Sequence, residues 1–240
     1  MSRPPPQPIF VHYGFIGGVT SCEVIDIDNM KAVMIGTGVG KCEVYDAETH
    51  MLLRKVYEDP ERRSISSVGA YDDMMWVHIR NYGVIFIGPS NETRHIVNLN
   101  HCGYCRVTMI GPALVYPDTS NEKHYLHIVS MISKDQVQVS LKQLPLSLTS
   151  VDENIYVGDE TGTVTRVSLQ GKIETEVSLY KEPVFCIAST TTHLACGSSK
   201  PPLFLLETAD ICGERRKIDY PPRQVLFIFL FSNLMTIRLL

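Results

Sequence analysis

A glycine-rich segment with a lysine is the part of this sequence closest in type to a phosphate-binding loop. Residues 36–41 read GTGVGK and follow the apolar run 32–35. A G-x-G-x-x-G loop would need glycine in place of Lys41, and a G-x-x-x-x-G-K-[ST] loop would need glycine in place of Ile35 and a hydroxyl in place of Cys42. The residues that follow favour a strand, whereas anion binding uses a helix N-terminus. The spacing therefore predicts a tight hairpin turn and no bound nucleotide.

Cys102 and Cys105 have the C-x-x-C spacing of a zinc hook or a redox pair. A structural zinc site needs four ligands. The sequence has no second C-x-x-C and no H-x-x-x-H, and only His101 is a ligand-type residue beside the pair. A redox pair favours a first cysteine at a helix N-terminus, and this part of the chain favours strands. We therefore expect ordinary structural cysteines, no metal and no cofactor.

The sequence contains no set of residues with the spacing of a nucleophilic catalytic motif. A G-x-S-x-G motif is absent, and the eight histidines are dispersed. Histidines inside strand-like runs, such as His78 and His127, are typical of hydrogen-bonded packing or of surface positions. The acidic residues Asp28 and Asp72 fall in turns, where such side chains bond the backbone. We expect no catalytic residue.

Two charged clusters are the remaining candidates for a binding site. Glu61, Arg62 and Arg63 belong to one cluster, and Arg215 and Arg216 belong to the other. Both clusters fall between strand-like runs, where solvated loops are the ordinary outcome. Loops are also where rigid scaffolds carry their binding residues. These five residues are therefore the candidate partner-binding residues.

Composition limits the classes of partner. The chain has 240 residues and a formal net charge of −4, and 20% of its residues are charged. The sequence has no block of basic residues that could bind along a nucleic-acid backbone. We therefore expect proteins, and not nucleic acid, as partners. Seven cysteines, an odd number, and an amino terminus without a signal-like apolar stretch favour a reducing compartment, the cytoplasm or the nucleus.

The elements that must position these residues are strands. Short alternating or fully apolar runs recur between turn signals, and no long stripe with helical periodicity is present. Segments 33–46 and 155–168 align without gaps as strand, glycine-rich turn and strand. Large residues close the second strand of such units every 38 to 42 residues, at Tyr45, Ile87, Val129, Val167 and Leu206. A period near 40 with about four strands per unit predicts the blades of a β-propeller.

The end of the first unit resembles a known repeat. Residues 40–46 (GKCEVYD) resemble the end of a Trp-Asp (WD) repeat with tyrosine in place of tryptophan. Stretches at 104–106, 126–131, 156–164 and 181–184 resemble, in order, the guanine nucleotide-binding protein subunit beta-like protein 1 family, also described as ASTRA-associated WD-repeat proteins. The resemblance covers roughly residues 9–225. No blade has an intact Trp-Asp pair, because the single tryptophan, Trp76, lies one strand earlier in its blade.

The expected fold is an all-β, WD40-like propeller with about five recognisable blades and an incomplete sixth, and thus an open or partial ring. The blades are expected at 9–60, 61–101, 102–143, 144–181 and 182–220. Residues 1–8 are a Pro-rich segment expected to be disordered. Residues 221–240 form an apolar tail, interpreted as a partial blade or an altered terminus. This tail is the only hint of a membrane, and buried strands are the favoured interpretation.

The fold and the resemblance together indicate a non-catalytic scaffold for protein interactions. The resemblance implies a co-chaperone-like role in multiprotein assemblies, those of phosphatidylinositol-3-kinase-related kinases or of chromatin-remodelling factors. Two alternatives stay open. One is a propeller enzyme with a site lining the channel, and the other is a truncated isoform with little function of its own.

Overall fold

The structure is a computed structural model that describes residues 10–99 and 105–219. Within these ranges the chain forms twenty β-strands and no helix. The strands divide into five antiparallel sheets of four strands each, numbered here 1 to 5 in chain order. The expectation of an all-β fold with five propeller blades is confirmed.

Each sheet is a meander in which every strand pairs with the next one. Sheet 1 contains β1 (Val19–Ile27), β2 (Met30–Thr37), β3 (Lys41–Asp46) and β4 (Leu52–Glu58). Sheet 2 contains β5 (Ile65–Tyr71), β6 (Met74–Ile79), β7 (Gly83–Ile87) and β8 (Thr93–Asn98). Sheet 3 contains β9 (Thr108–Ile110), β10 (Ala113–Ser120), β11 (Lys123–Ser130) and β12 (Gln136–Leu141). Sheet 4 contains β13 (Pro145–Val151), β14 (Asn154–Asp159), β15 (Thr163–Ser168) and β16 (Ile173–Ser178), and sheet 5 contains β17 (Cys186–Ser189), β18 (His193–Gly197), β19 (Leu203–Glu207) and β20 (Arg216–Ile218).

The first strand of each sheet is the innermost one. β1, β5, β9, β13 and β17 line a common central cavity, and the fourth strand of each sheet is its outer edge. We call the side on which the inner strands begin the N-face and the side on which they end the C-face. Because every sheet is a meander, the loops leading into the inner strands and the turns between second and third strands lie on the N-face. The other loops lie on the C-face.

Apolar side chains hold successive sheets together face to face. Separate buried cores join sheets 1 and 2, sheets 2 and 3, sheets 3 and 4, and sheets 4 and 5. Strand alternation decides which residues enter them: Val44 is buried against sheet 2, and its neighbour Tyr45 faces the opposite side. Burying one such aliphatic side chain contributes about 1.5–3 kcal/mol. These four contacts therefore fix the sheets relative to one another.

Hydroxyl groups add a second link between neighbouring sheets on the N-face. Near the beginning of an inner strand, a Ser or Thr hydroxyl donates to a main-chain carbonyl at the beginning of the next inner strand. The donors and acceptors are Thr20 and the Ile65 carbonyl at 2.6 Å, Ser67 and the Val107 carbonyl at 3.4 Å, and Ser147 and the Val184 carbonyl at 2.8 Å. Each bond satisfies polar groups that would otherwise be buried without partners. The repetition shows that the inner strands run in the same direction around the cavity.

The glycine-rich segment after β2 is a hairpin turn, as its spacing predicts. Gly40 has φ +80°, a conformation that side chains rarely adopt. The Thr37 hydroxyl accepts a hydrogen bond from the Lys41 backbone N–H at 3.0 Å. In the aligned segment of sheet 4, the Asp159 carboxylate accepts from the Thr163 backbone N–H at 2.9 Å. Both turns lead into a third strand rather than a helix, so the prediction of a hairpin is confirmed.

The repeat positions found in the sequence occupy equivalent places in the sheets. The five strand-closing residues lie on third strands: Tyr45, Ile87, Val129, Val167 and Leu206. Trp76 lies on β6, a second strand, and its buried indole packs in the core between sheets 2 and 3. A Cβ at Gly69 of the adjacent inner strand would lie 2.6 Å from this indole, so a glycine is needed there.

Several expectations fall on residues outside the described ranges. These are the Pro-rich segment 1–8, the apolar tail 221–240 with its incomplete sixth blade, and Cys102. Cys105 is described, and its side chain is fully buried. Residues 10–99 and 105–219 contain no helix that is long and apolar enough to cross a membrane.

Candidate functional site

A central channel runs between the inner strands of the described sheets. It encloses about 550 Å³ and is lined by residues from the inner strands of all five sheets. Ligand pockets in proteins typically enclose about 300–1,000 Å³ and combine apolar walls with a few polar groups. The channel and its two openings are therefore where a bound group would meet the largest number of blades.

Hydroxyl groups of sheets 3, 4 and 5 bond one another along the channel wall. The hydroxyl oxygens of Thr149 and Ser189 are 2.9 Å apart, and the Ser189 hydroxyl donates to the Ser150 carbonyl at 3.1 Å. The hydroxyls of Thr108 and Ser150 are 3.4 Å apart. None of these bonds joins a hydroxyl to a histidine that could act as its base. The arrangement therefore stabilises the channel wall.

A charged side chain links two sheets that are not neighbours in the chain. Arg106, at the beginning of the inner strand of sheet 3, donates from Nη2 to the Thr20 carbonyl of sheet 1 at 3.0 Å. Burial lowers the pKa of this guanidinium, and the nearby Glu23 carboxylate acts in the opposite direction. Because an arginine keeps its charge even when its pKa falls somewhat, the channel has a fixed positive charge near its N-face opening.

Burial makes the thiols that line the channel unreactive. Burial raises the pKa of Cys22 to about 11, with the Glu23 charge acting in the same direction. Burial also raises the pKa of Cys186 to about 11. Only the thiolate is nucleophilic, so both groups are protonated and inert at neutral pH.

The part of the chain that the structure describes has no cluster of metal-ligating side chains. No group of three or more His, Cys, Asp or Glu side chains that could hold an ion occurs there. His78 Nδ1 lies 3.3 Å from the Ser67 hydroxyl, and the His127 ring stacks on Tyr116 with centroids 5.0 Å apart. Both histidines are buried. Of the two outcomes that the sequence left open for them, packing and a surface position, the structure shows packing.

The N-face opening carries an exposed aromatic side chain. Phe185 is 42% exposed, lines the channel, and precedes the buried Cys186. Its backbone N–H donates to the Gly197 carbonyl at 3.0 Å, which fixes the position of the main chain. Its equivalents in the other inner strands, each one residue before a buried position, are Thr20, Ser66, Arg106 and Leu146. An aromatic group on a rigid support is a typical anchor for a partner protein.

The first charged cluster lies on the N-face, in the loop between β4 and β5. Asp59 is only 1% exposed, and it accepts hydrogen bonds from the Arg63 Nη2 at 2.8 Å and the Arg63 backbone N–H at 2.7 Å. The Arg63 guanidinium also lies 4.0 Å from the centre of the Tyr82 ring. Arg63 thus joins sheets 1 and 2, so Asp59 and Arg63 are packed while the rest of the charged cluster is solvated. Glu61 and Arg62 are exposed.

The second charged cluster lies on the opposite face. Arg215 precedes β20 in the loop between third and fourth strands, and Arg216 is the first residue of β20. Both are exposed, and Arg215 donates to the Ser178 carbonyl at 3.1 Å. The C-face therefore carries Arg215 and Arg216, whereas Glu61, Arg62 and Arg63 are on the N-face. A small partner bound to one face would not contact both clusters.

Sequence reasoning missed Phe185 and Arg106. Residues 184–187 form an apolar run, and Val184 and Cys186 in it are buried. Alternation along the run was the available signal, because it places Phe185 on the other side of the strand from these two. For Arg106, the position just before an inner strand was the only signal, and it does not reveal the contact with sheet 1.

Comparisons with known proteins give the class of fold. The WD40 domain of Pan2 from Neurospora crassa aligns with a TM-score of 0.65 and 9% identity, over 85% of this chain and 67% of that one. The β-propeller domain of Cps50 (Swd1) from Myceliophteria thermophila aligns with a TM-score of 0.62 and 12% identity, over 87% and 70%. BamB from Moraxella catarrhalis aligns with a TM-score of 0.58 and 15% identity, over 78% and 56%. The chain spans 62% of the length of the computationally designed protein Ika8, with a TM-score of 0.63 and 12% identity over 85% of this chain.

These structures define the described chain as a WD40-type β-propeller with five blades. No protein-family model matches the sequence, and no curated protein sequence matches it either. Identities of this size show a shared fold and carry no information on partners.

Proposed function

We propose that this protein is a non-catalytic scaffold that binds another protein at the N-face opening of its channel. The observation that carries the proposal is the exposed Phe185 at the rim of a cavity lined by five blades. Large apolar side chains that stay exposed on a rigid surface typically mark binding sites. The protonated thiols and the hydroxyl groups engaged in the wall support binding rather than catalysis.

The partner proposed here is a protein segment with an apolar side chain that packs on Phe185. We further propose that the chain supports assembly of multiprotein complexes in the cytoplasm or the nucleus. For the clients, phosphatidylinositol-3-kinase-related kinases or chromatin-remodelling complexes, the support is the sequence resemblance described above. For the binding face, the support is the position of Phe185.

Affinity purification from cell extract with quantitative mass spectrometry tests this proposal. The chain offers a matched control, because Ile132 is 74% exposed but lies in a C-face loop of sheet 3. Truncating a hot-spot residue typically costs about 2 kcal/mol or more, which is about 30-fold in affinity. We expect Phe185→Ser to lose stoichiometric partners that Ile132→Ser retains. Equal recovery by the two variants would refute binding at this opening.

A further inference from the structure

One face of sheet 5 is apolar and is turned away from the other described sheets. Ala195, Leu203 and Leu205 form a buried cluster on this face, and the partly buried Ile218 packs against them. Phe204, between the two leucines, belongs to the core shared with sheet 4, so strand alternation directs the leucines to the opposite side. We call the four residues of the cluster the far face of sheet 5.

The far face is continuous across three strands. Ala195 of β18 pairs with Leu205 of β19, and Leu203 of β19 pairs with Ile218 of β20. Ala195, Leu203 and Leu205 are only 7 or 8% exposed, although their cluster contains no described residue from another sheet. Burial of this degree needs a covering layer, because the apolar face of a sheet leaves water only by packing on another element.

The chain continues from the far face into an apolar segment. β20 ends at Ile218, and residues 225–231 read VLFIFLF. The connection between them, residues 219–224, has six residues. The connections from a fourth strand into β5 and into β17 have six and seven residues, 59–64 and 179–185. The apolar segment therefore begins as many residues after a fourth strand as an inner strand does.

The sequence of residues 225–240 matches the inner hairpins of sheets 2 and 4. In both sheets an inner strand of seven residues is followed by a turn of two residues and by the second strand. Asp72 and Asp152 begin these turns, with φ +55° and +52°. Residues 225–240 have the same order: the apolar run VLFIFLF, the turn-type pair Ser232-Asn233 and the run LMTIRLL.

The equivalence also assigns a direction to each side chain. In sheets 2 and 4, the second and fourth residues of the second strand face the preceding sheet: Met75 and Val77 face sheet 1, and Ile155 and Val157 face sheet 3. Their equivalents in residues 234–240 are Met235 and Ile237, which are both apolar. Thr236 and Arg238, the polar residues of this run, fall on the other side. The run thus has the pattern of a strand with its apolar side toward sheet 5.

We propose that residues 225–240 form the inner hairpin of a sixth sheet and that this hairpin covers the far face of sheet 5. Met235 and Ile237 pack on Leu203 and Leu205, in the way that sheet 5 itself packs on sheet 4. The first strand of the hairpin lies beside β17 and adds an inner strand to the channel wall. This interface does not rest on the partner proposed for the N-face opening.

Two lysine substitutions in the full chain test the direction of the side chains. Ile237→Lys places a charge against the far face, and Thr236→Lys, one residue away, is the matched control on the other side. The measurement is hydrogen–deuterium exchange with peptide mapping. Exchange in β19 should become about tenfold faster or more with Ile237→Lys and change less than about twofold with Thr236→Lys, because only the first opens the covering layer. Equal exchange in the two variants would overturn the proposal.

A double-mutant cycle tests the same contact without a new charge, so it decides the question if Ile237→Lys does not fold. Leu205→Ala and Ile237→Ala should be coupled about threefold or more in the equilibrium constant of urea unfolding, as contacting residues are. The control pair, Leu205→Ala with Thr236→Ala, should be additive. Additivity in both pairs would overturn the proposal.

The dependence on protein concentration shows which chain supplies the hairpin. A hairpin from the same chain gives a urea midpoint that does not change with concentration. A midpoint that rises with concentration would overturn the proposal in favour of a hairpin exchanged between two copies of the chain.

Discussion

Replacing Gly158 by alanine tests the packing of sheet 4 against sheet 5. A Cβ at this position would lie 2.5 Å from the Ser147 hydroxyl oxygen and 2.7 Å from the Val184 Cγ1. Val184 is fully buried, so it has no solvent to move into. Overpacking of this kind costs about 1–3 kcal/mol. Alanine also has less conformational entropy than glycine in the unfolded chain, which stabilises the folded protein by about 0.4–1 kcal/mol. The expected net loss of stability is about 1–2 kcal/mol, and Tm should fall by roughly 2–8 °C.

The clash predicts a specific rescue. Val184→Ala removes two methyl groups, which costs about 1.5–2.5 kcal/mol by itself. In the double variant, the space left at residue 184 accepts the new methyl group at residue 158. The double variant should therefore be about 1–2 kcal/mol more stable than the sum of the single changes, within the usual range for contacting residues.

Urea unfolding at pH 7, followed by tryptophan fluorescence and circular dichroism, measures the four free energies of this cycle. Gly213→Ala is the matched control, because the nearest atom to its added Cβ is a carboxylate oxygen of Asp210 at 2.9 Å, which can move. This control should change stability by less than about 0.5 kcal/mol. Single changes that add within about 0.5 kcal/mol in the double variant would refute the proposed contact between the two sheets.

Three further predictions follow from individual side chains. Burial acts to raise the pKa of Asp59, but hydrogen bonds from Arg63 more than offset it and hold the pKa below its ordinary value. The wild type should therefore be more stable than Asp59→Asn at pH 7, and this advantage should vanish as pH falls below about 4. Urea titrations repeated at several pH values measure it. A difference in the free energy of unfolding that does not change with pH would contradict the ion pair. The Tyr156 hydroxyl donates to a carbonyl after β19 at 2.9 Å, so Tyr156→Phe should lose about 1 kcal/mol in urea unfolding, and no loss would contradict this bond. Iodoacetamide at pH 7.5, read by peptide mapping, should label the exposed Cys212 before Cys186, whose pKa burial raises to about 11, and the reverse order would contradict the described channel wall.

The sequence predicted the blades well because their signals are local. Alternation, turn residues and the repeated glycine hairpins are properties of a few adjacent residues, and they placed Tyr45 and its equivalents at corresponding positions of successive units. In the structure these positions are on third strands. The burial of Asp59 was missed because it depends on an arginine folding back across a loop and on Tyr82 of the next sheet. Such contacts are tertiary, and the charge run around them is indistinguishable from a solvated loop.

The candidate binding site shows the same division. The sequence found two charged clusters, but it could not place Arg62 and Arg215 on opposite faces, because the face follows from the strand order of the complete sheets. The sequence did not single out Phe185. Its exposure depends on its position at the rim of a channel that exists only when five sheets are assembled.

The most direct test of binding at the N-face opening is hydroxyl-radical footprinting of the complex that wild-type chain recovers from cell extract. Oxidation of Phe185 should fall several-fold in the complex compared with the free protein, because the partner covers this side chain. Oxidation of Ile132, on the C-face, should stay the same. Protection of Ile132 with unchanged oxidation of Phe185 would contradict the account.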